Sequence, residues 1–404
     1  MNKFFSHLIR LGIISFALLT VTPVAAEESS TPQISAQLYK QLAVTDKLIA
    51  KQAYKGARQR LQKILAGVKA ASYEQAIVLR TLASVYALEN NYVKAAKYLE
   101  QCTATKMLPE NQQQEAMLNL GQLYMATVQY QKAIKILTVW LAEGGESNQQ
   151  VLVLLANAHA QLKQYRKALP YIERAIKQAK KPKEGWLQLN LALYYELENY
   201  PAAARILQKL VRRFPDKKDY WQQLSAIYQQ LHKYSKALTT QHLAYKKGFI
   251  QSETQILALF NLFLFQKQPY QAANLLTKEI NAGRVKRTSS NWGSLANAWT
   301  NAREYKQAIN ALEQASSLHE KGDLYLQLGR IHVEQELWQP AITAIKKALR
   351  KGKLSKTGEA YILLGMSLYE TEQIASAKKA FQQAQKYRKT RKSAEQWLNY
   401  IKQG

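Results

Sequence analysis

The sequence predicts an all-α solenoid, a row of about ten helix-turn-helix repeats followed by a C-terminal capping helix. Three observations predict it. An aromatic residue followed three residues later by alanine recurs along the chain, a mostly small residue stands twelve residues before that alanine, and a large apolar residue follows four residues after it. Slots that repeat together with a period of about 34 residues describe a unit that cannot bury its apolar face alone and must stack on its neighbours.

Taken in order, the pairs are Tyr54 with Ala57, Tyr92 with Ala95, Tyr130 with Ala133, Tyr165 with Ala168 and Tyr200 with Ala203. They continue with Tyr234 and Ala237, Tyr270 and Ala273, Tyr305 and Ala308, Trp338 and Ala341, and a weaker copy, Ile374 and Ala377. The small slot holds Ala83, Gly121, Ala156, Ser225, Ala296, Gly329 and Gly365, and a ring often stands three residues beyond it, as at Tyr86, Tyr124, His159, Tyr194, Tyr228, Trp299 and His332. One turn past the alanine, on the same helix face, come Leu61, Leu99, Leu137, Ile172, Leu207, Leu312, Ile345 and Phe381. Small residues let two helices approach, and the rings fill the space between neighbouring pairs. Some units depart from the pattern: Leu191 and Asn261 occupy the small slot, Gln241 and Thr277 the large one, and Thr45 and Leu48 weaken the first unit. Those units read as edge caps or as shifted by one residue.

These slots resemble the tetratricopeptide (TPR) pattern over residues 35–386. The resemblance implies antiparallel helix pairs wound into a right-handed superhelix, whose first helices line a concave face for a ligand. It implies a scaffold and no chemistry of its own.

Outside the repeats, residues 1–26 read as a secretory signal peptide. Lys3 and Arg10 form its basic head, Leu11 to Val21 its apolar stretch, and Val24-Ala25-Ala26 a small-residue cleavage site. The expected location is therefore the periplasm, with residues 27–34 as a flexible linker. Residues 387–404 form the capping helix, in which Trp397, Leu398 and Ile401 give an apolar stripe and Arg391, Lys392 and Lys402 a polar side. Cys102 is the only cysteine; it falls in a slot taken by alanine in other units, so it reads as a buried small hydrophobe.

The formal charge of +29 falls to +27 once Lys3 and Arg10 leave with the signal, an excess large enough to shape partnerships. Many cations stand at the end of a second helix, where they oppose the negative helix terminus. The rest point to an acidic partner, with Arg284, Lys286, Arg287, Lys351, Lys353 and Lys356 as the candidate basic surface. Nucleic acid is not expected, because no recognition motif or base-stacking platform is visible.

Catalysis is disfavoured. The six histidines are scattered: His159 and His332 replace repeat rings, and His232, His242 and His319 lack a second ligand at metal spacing. No nucleophile elbow, zinc-binding helix motif or phosphate loop occurs. No cofactor and no metal are expected.

Mapping outward from the small slot gives the candidate partner-binding groove: Gln122, Asn157, Gln188, Gln222, Gln229, Leu262, Phe265, Asn297, Arg330, Met366 and Tyr369. Its middle is rich in amides that can hydrogen-bond an extended peptide backbone. Its later part offers apolar anchors, with Phe260, Phe263 and Leu264 read as core. A clamp for a terminal carboxylate would need a basic residue one turn before an asparagine, but Val153 precedes Asn157 and Gly293 precedes Asn297.

The C-terminal half, through "NWGSLANAWTNAREYKQAINALEQA", "LLGMSLY" and "SAEQWLNYI", resembles the TPR proteins that accompany the TonB, ExbB and ExbD energy-transduction components of Gram-negative bacteria. That resemblance implies a periplasmic accessory to TonB-dependent iron uptake, with a TonB-complex component as partner. The alternative reading is a cell-envelope assembly factor that binds anionic cell-wall polymer or lipid through its basic clusters.

Overall fold

The computed structural model describes residues 32–143, 149–318, 320 and 322–403. The expected signal peptide, residues 1–26, and most of the expected linker lie outside the described residues. Within the described residues the protein is all α, with twenty-one helices and no strand. They are α1 (Ala36–Ala50), α2 (Tyr54–Gly67), α3 (Tyr73–Leu88), α4 (Tyr92–Thr105), α5 (Glu110–Ala126), α6 (Tyr130–Ala142), α7 (Gln149–Gln161), α8 (Tyr165–Gln178), α9 (Glu184–Glu196) and α10 (Tyr200–Arg213). The order continues with α11 (Lys218–Gln230), α12 (Tyr234–Lys246), α13 (Glu253–Phe265), α14 (Pro269–Asn281), α15 (Ser289–Asn301), α16 (Tyr305–Ser317), α17 (Asp323–Glu334), α18 (Trp338–Lys351), α19 (Thr357–Glu370), α20 (Ile374–Gln385) and α21 (Arg391–Gln403). Ten pairs and one closing helix result. The described residues form two compact units, one with α1 to α10 and the other with α11 to α21, divided between Pro215 and Asp216.

Where the small slot is glycine, a second-helix side chain occupies the space a Cβ would need. A Cβ on Gly121 would lie 2.6 Å from Leu137 Cδ2, one on Gly329 2.4 Å from Ile345 Cγ1, and one on Gly365 2.6 Å from the Phe381 ring. In each case the intruding residue is the one four places past the repeat alanine. The alanines themselves, from Ala57 to Ala377, are fully buried. Ser225 also tolerates this proximity, because its hydroxyl donates to the Ala237 carbonyl at 3.2 Å.

Every pair turns in the same way. The residue five places before the repeat alanine takes a left-handed conformation: Gln52, Asn90, Val128, Lys163, Glu198, His232, Lys267, Arg303, Glu336 and Glu372. The following amide then bonds back to the ring-slot carbonyl, as Asn91 does to Tyr86 at 2.8 Å and Glu304 to Trp299 at 2.9 Å. This is the Schellman end of a helix, which satisfies orphan carbonyls. None of the ten is glycine, so each carries the steric cost of a Cβ beside the carbonyl.

The turn corrects the seventh unit. Lys267 marks Ala272, not Ala273, as the repeat alanine, and Pro269 stands where an aromatic residue stands elsewhere. Proline suits this position because the first helical residue has no use for its amide. The large slot then holds Leu276, fully buried, instead of Thr277, and the small slot holds Phe260 instead of Asn261. The first unit keeps the fold despite its departures: Thr45 is fully buried, its hydroxyl bonded to the Gln41 carbonyl at 2.9 Å.

At the C-terminus, α21 packs on α20. Trp397 stacks on Phe381 at 5.3 Å between centroids and also meets Tyr369 and Tyr400, so the last unit's apolar face is covered.

Candidate functional site

First helices touch one another in sequence, α5 with α7, α7 with α9, and α17 with α19. The residue just after the small slot therefore recurs along neighbouring helices. In the first unit this row contains Ser84, Gln122 and Asn157; in the second, with the phase corrected, it contains Asn261, Asn297 and Arg330. Asn261 is exposed and was missed by sequence reasoning, which had placed it in the small slot. The signal that could have found it is Pro269, whose place at a helix start sets the frame one residue earlier.

The other groove residues differ in availability. Gln222 and Gln229 are exposed, and the Gln229 amide lies 3.5 Å from Ser225 Oγ. Asn157 donates to the Val153 carbonyl at 3.0 Å, Gln188 reaches Glu184 at 3.5 Å, and Asn297 accepts from Gln327 at 2.6 Å. Arg330 is paired with Glu359 at 2.5 Å. Beside Asn157, the Gln161 side-chain nitrogen is buried with no partner among the described residues. Leu262 is a correction: it is 8% exposed and belongs to the packing. Phe265 is 61% exposed and meets Tyr234 edge-on at 4.6 Å. Phe260 and Phe263 are buried and Leu264 half-buried. Met366 is half-buried, and Tyr369 lies against Trp397 and Tyr400 of the closing helix.

The candidate basic surface also divides. Arg284 is committed to Glu279, a carboxylate with no exposure that also accepts from the Tyr245 hydroxyl at 2.5 Å. Those bonds hold the Glu279 carboxyl below the ordinary carboxylate range against the opposing effect of burial. Lys351 donates to the Ser316 carbonyl at 3.1 Å over the Tyr325 ring, and Lys356 pairs with Glu359 at 3.5 Å. Lys286, Arg287 and Lys353 are exposed.

Charge separates by helix, which sequence reasoning did not see. In the ten second helices the carboxylates are Glu100, Glu173, Glu279 and Glu313, whereas in the ten first helices the cations are Lys40, Lys47, Arg80, Lys218 and Arg330. No second helix has an acidic residue in its first turn. Part of this has a structural cause. A lysine one place before the repeat alanine lies over the first-helix ring, Lys94 over Tyr86 at 5.5 Å, Lys132 over Tyr124 at 5.3 Å and Lys236 over Tyr228 at 6.0 Å.

Among the described residues no cluster of His, Cys, Asp or Glu could hold a metal ion, and no helix is long and apolar enough to cross a membrane. His159 is packed, stacked on Tyr171 and bonded to Gln164 at 2.7 Å. His332 is buried, and burial lowers its pKa. His319 lies outside the described residues. Cys102 is buried with its thiol on the Ala76 carbonyl at 3.2 Å, and burial pushes its pKa up to about 11.

Two segments match known repeat profiles, residues 153–218 and residues 358–391, each described as a tetratricopeptide repeat. Tetratricopeptide repeats are thus present in those two segments. TPR proteins generally mediate protein–protein contacts and are generally not enzymes. No curated protein matches the sequence. Solved structures that resemble it include a TPR protein from Parabacteroides merdae, 16% identical, covering 60% of this chain and 93% of that one, with a TM-score of 0.37. Another is YrrB, described as a TPR protein with an unusual peptide-binding site, 19% identical, covering 43% and 86%, with a TM-score of 0.36. The Cut9–Hcn1 hetero-tetramer is 13% identical, covering 91% and 90%, with a TM-score of 0.28.

Proposed function

We propose that this TPR protein is a periplasmic interaction scaffold whose first helices hold an extended segment of a protein partner, and that the partner belongs to a TonB-dependent uptake system. The observation that carries the scaffold reading is the polar side chain after the small slot in consecutive repeats within each unit, Gln122 and Asn157 in the first and Asn261, Asn297 and Arg330 in the second, where Ala192, Ala226 and Met366 take that place in other repeats. An extended strand leaves its peptide groups unpaired on both sides, and side-chain amides supply a donor and an acceptor each. The leader-like start and the likeness of the C-terminal half to TonB-associated TPR proteins support the location and the partner.

The test is photo-crosslinking in cells from position 261 and position 297, with Lys135 on a second helix as the control site. Capture of a TonB-complex subunit from the two first-helix positions and not from 135 is the expected result. Equal capture from 135 would refute the groove, and capture of an unrelated protein from 261 and 297 would keep the scaffold and remove the TonB assignment.

A further inference from the structure

The charge separation leaves the same pair of cations on two successive second helices unexplained by local packing. In two consecutive repeats of the first unit, cations occupy the same two places, six and nine residues past the repeat alanine. These are Arg174 and Lys177 on α8, and Lys209 and Arg212 on α10. All four are exposed, and none is in an ion pair among the described residues. Positions three apart share a helix face, so each helix presents two cations side by side.

Helix-end stabilisation accounts for only part of this. Lys177 and Arg212 stand in last turns, where a cation is favoured. Arg174 and Lys209 lie before those turns. Arg166 and Lys167 begin α8, at the positive end of the helix, and this unit has His159 where Tyr86, Tyr124 or Tyr228 receives a lysine elsewhere. Acids on the two helices themselves are few. α10 has no carboxylate, and Glu173, the one acid of α8, is bonded to the Tyr194 hydroxyl.

We propose that the outer surface of α8 and α10 binds a linear, phosphate-bearing polyanion, independently of the groove on the first helices. Arginine and lysine at one spacing suit phosphate: the guanidinium forks onto two oxygens, and the ammonium acts as a point charge. The surface lacks what other anionic partners need. No large apolar residue is exposed on either helix, so it has neither the anchors of a protein interface nor the inserting side chains of a membrane-surface helix. It also has no exposed ring on which bases could stack.

The experiment measures binding of the whole protein to labelled long-chain inorganic polyphosphate and, separately, to phosphatidylglycerol vesicles, at an ionic strength of about 0.15 M. Three proteins are compared: wild type, the variant R174A/K177A/K209A/R212A, and the variant K55A/K63A/K97A/K135A. The last removes as many exposed cations from second helices of the same unit. Circular dichroism confirms that both variants keep their helix content. The expected result is polyphosphate binding weakened roughly tenfold or more in the first variant, a conservative figure for four cations at an anionic surface, and little changed in the second. Equal loss in both variants would overturn the proposal in favour of diffuse charge. Binding to vesicles without binding to polyphosphate would overturn it in favour of a lipid surface.

Discussion

Helix propensity and the packing of the small slot make opposite predictions for one substitution, Gly329→Ala. In an exposed helix interior, alanine is favoured over glycine by about 1 kcal/mol. In this slot the new Cβ would lie 2.4 Å from Ile345 Cγ1, 3.3 Å from its Cδ1 and 3.5 Å from its backbone nitrogen. Carbon atoms prefer roughly 3.5–4.0 Å, so the overlap exceeds about 1 Å. Ile345 is fully buried, and the clashing atom sits one bond beyond the Cβ branch, with backbone just behind it. Relief therefore requires α17 and α18 to separate. Overpacking of this kind costs about 1–3 kcal/mol, here near the upper end, which leaves a net loss of about 2 kcal/mol after the propensity gain. Gly293→Ala is the matched control. It too lies inside a first helix, but its Cβ would meet Leu324 Cδ2 at an ordinary 3.9 Å, so the substitution should stabilise by up to about 1 kcal/mol. Urea unfolding followed by circular dichroism measures both, and hydrogen exchange of α17 and α18 localises the effect, since repeat arrays need not unfold in two states. In an Ile345→Ala background the clash is removed, and Gly329→Ala should become neutral or stabilising. If Gly329→Ala alone stabilises as much as Gly293→Ala, the close-approach account of the repeat is wrong.

Three further outcomes are expected. Val128 is a β-branched residue in the left-handed region, φ 61°, and 67% exposed, so Val128→Gly should raise stability by about 1 kcal/mol in the same urea assay. Because Glu279 has its pKa lowered in the fold, its bonds to Arg284 and Tyr245 stabilise fully above the unfolded carboxyl value and fade as pH falls through the folded one. Glu279→Gln should therefore be less stable than wild type at neutral pH, with the gap closing below about pH 4; a gap independent of pH would count against the pair. Cys102, buried and with its pKa near 11, should resist a thiol reagent under native conditions and react at the rate of unfolding when urea is added.

The repeat was legible because its slots are chemical: an alanine cannot be replaced by a large residue where two helices meet, and Leu137, Ile345 and Phe381 reveal their partners by spacing alone. The seventh unit was misread by one residue because Ala272 and Ala273 are adjacent and both buried. Only the turn at Lys267 separates them, and a lysine carries no sign that it will adopt positive φ. That single residue moved Asn261 onto the candidate groove and Leu262 off it, since neighbouring residues on a helix point about 100° apart.

By itself the sequence determined the helix pairs, their period and the apolar residues that join them, because burial leaves a periodic trace in residue type. Tertiary structure alone decided which polar groups are committed. Arg284 and Lys351 look as free as Arg174 and Lys209 in the sequence, yet two of them are held by groups distant along the chain or folded back from a loop. Charge available for a partner is what remains after such contacts are made, and those contacts are set by distance in space, which residue order does not record.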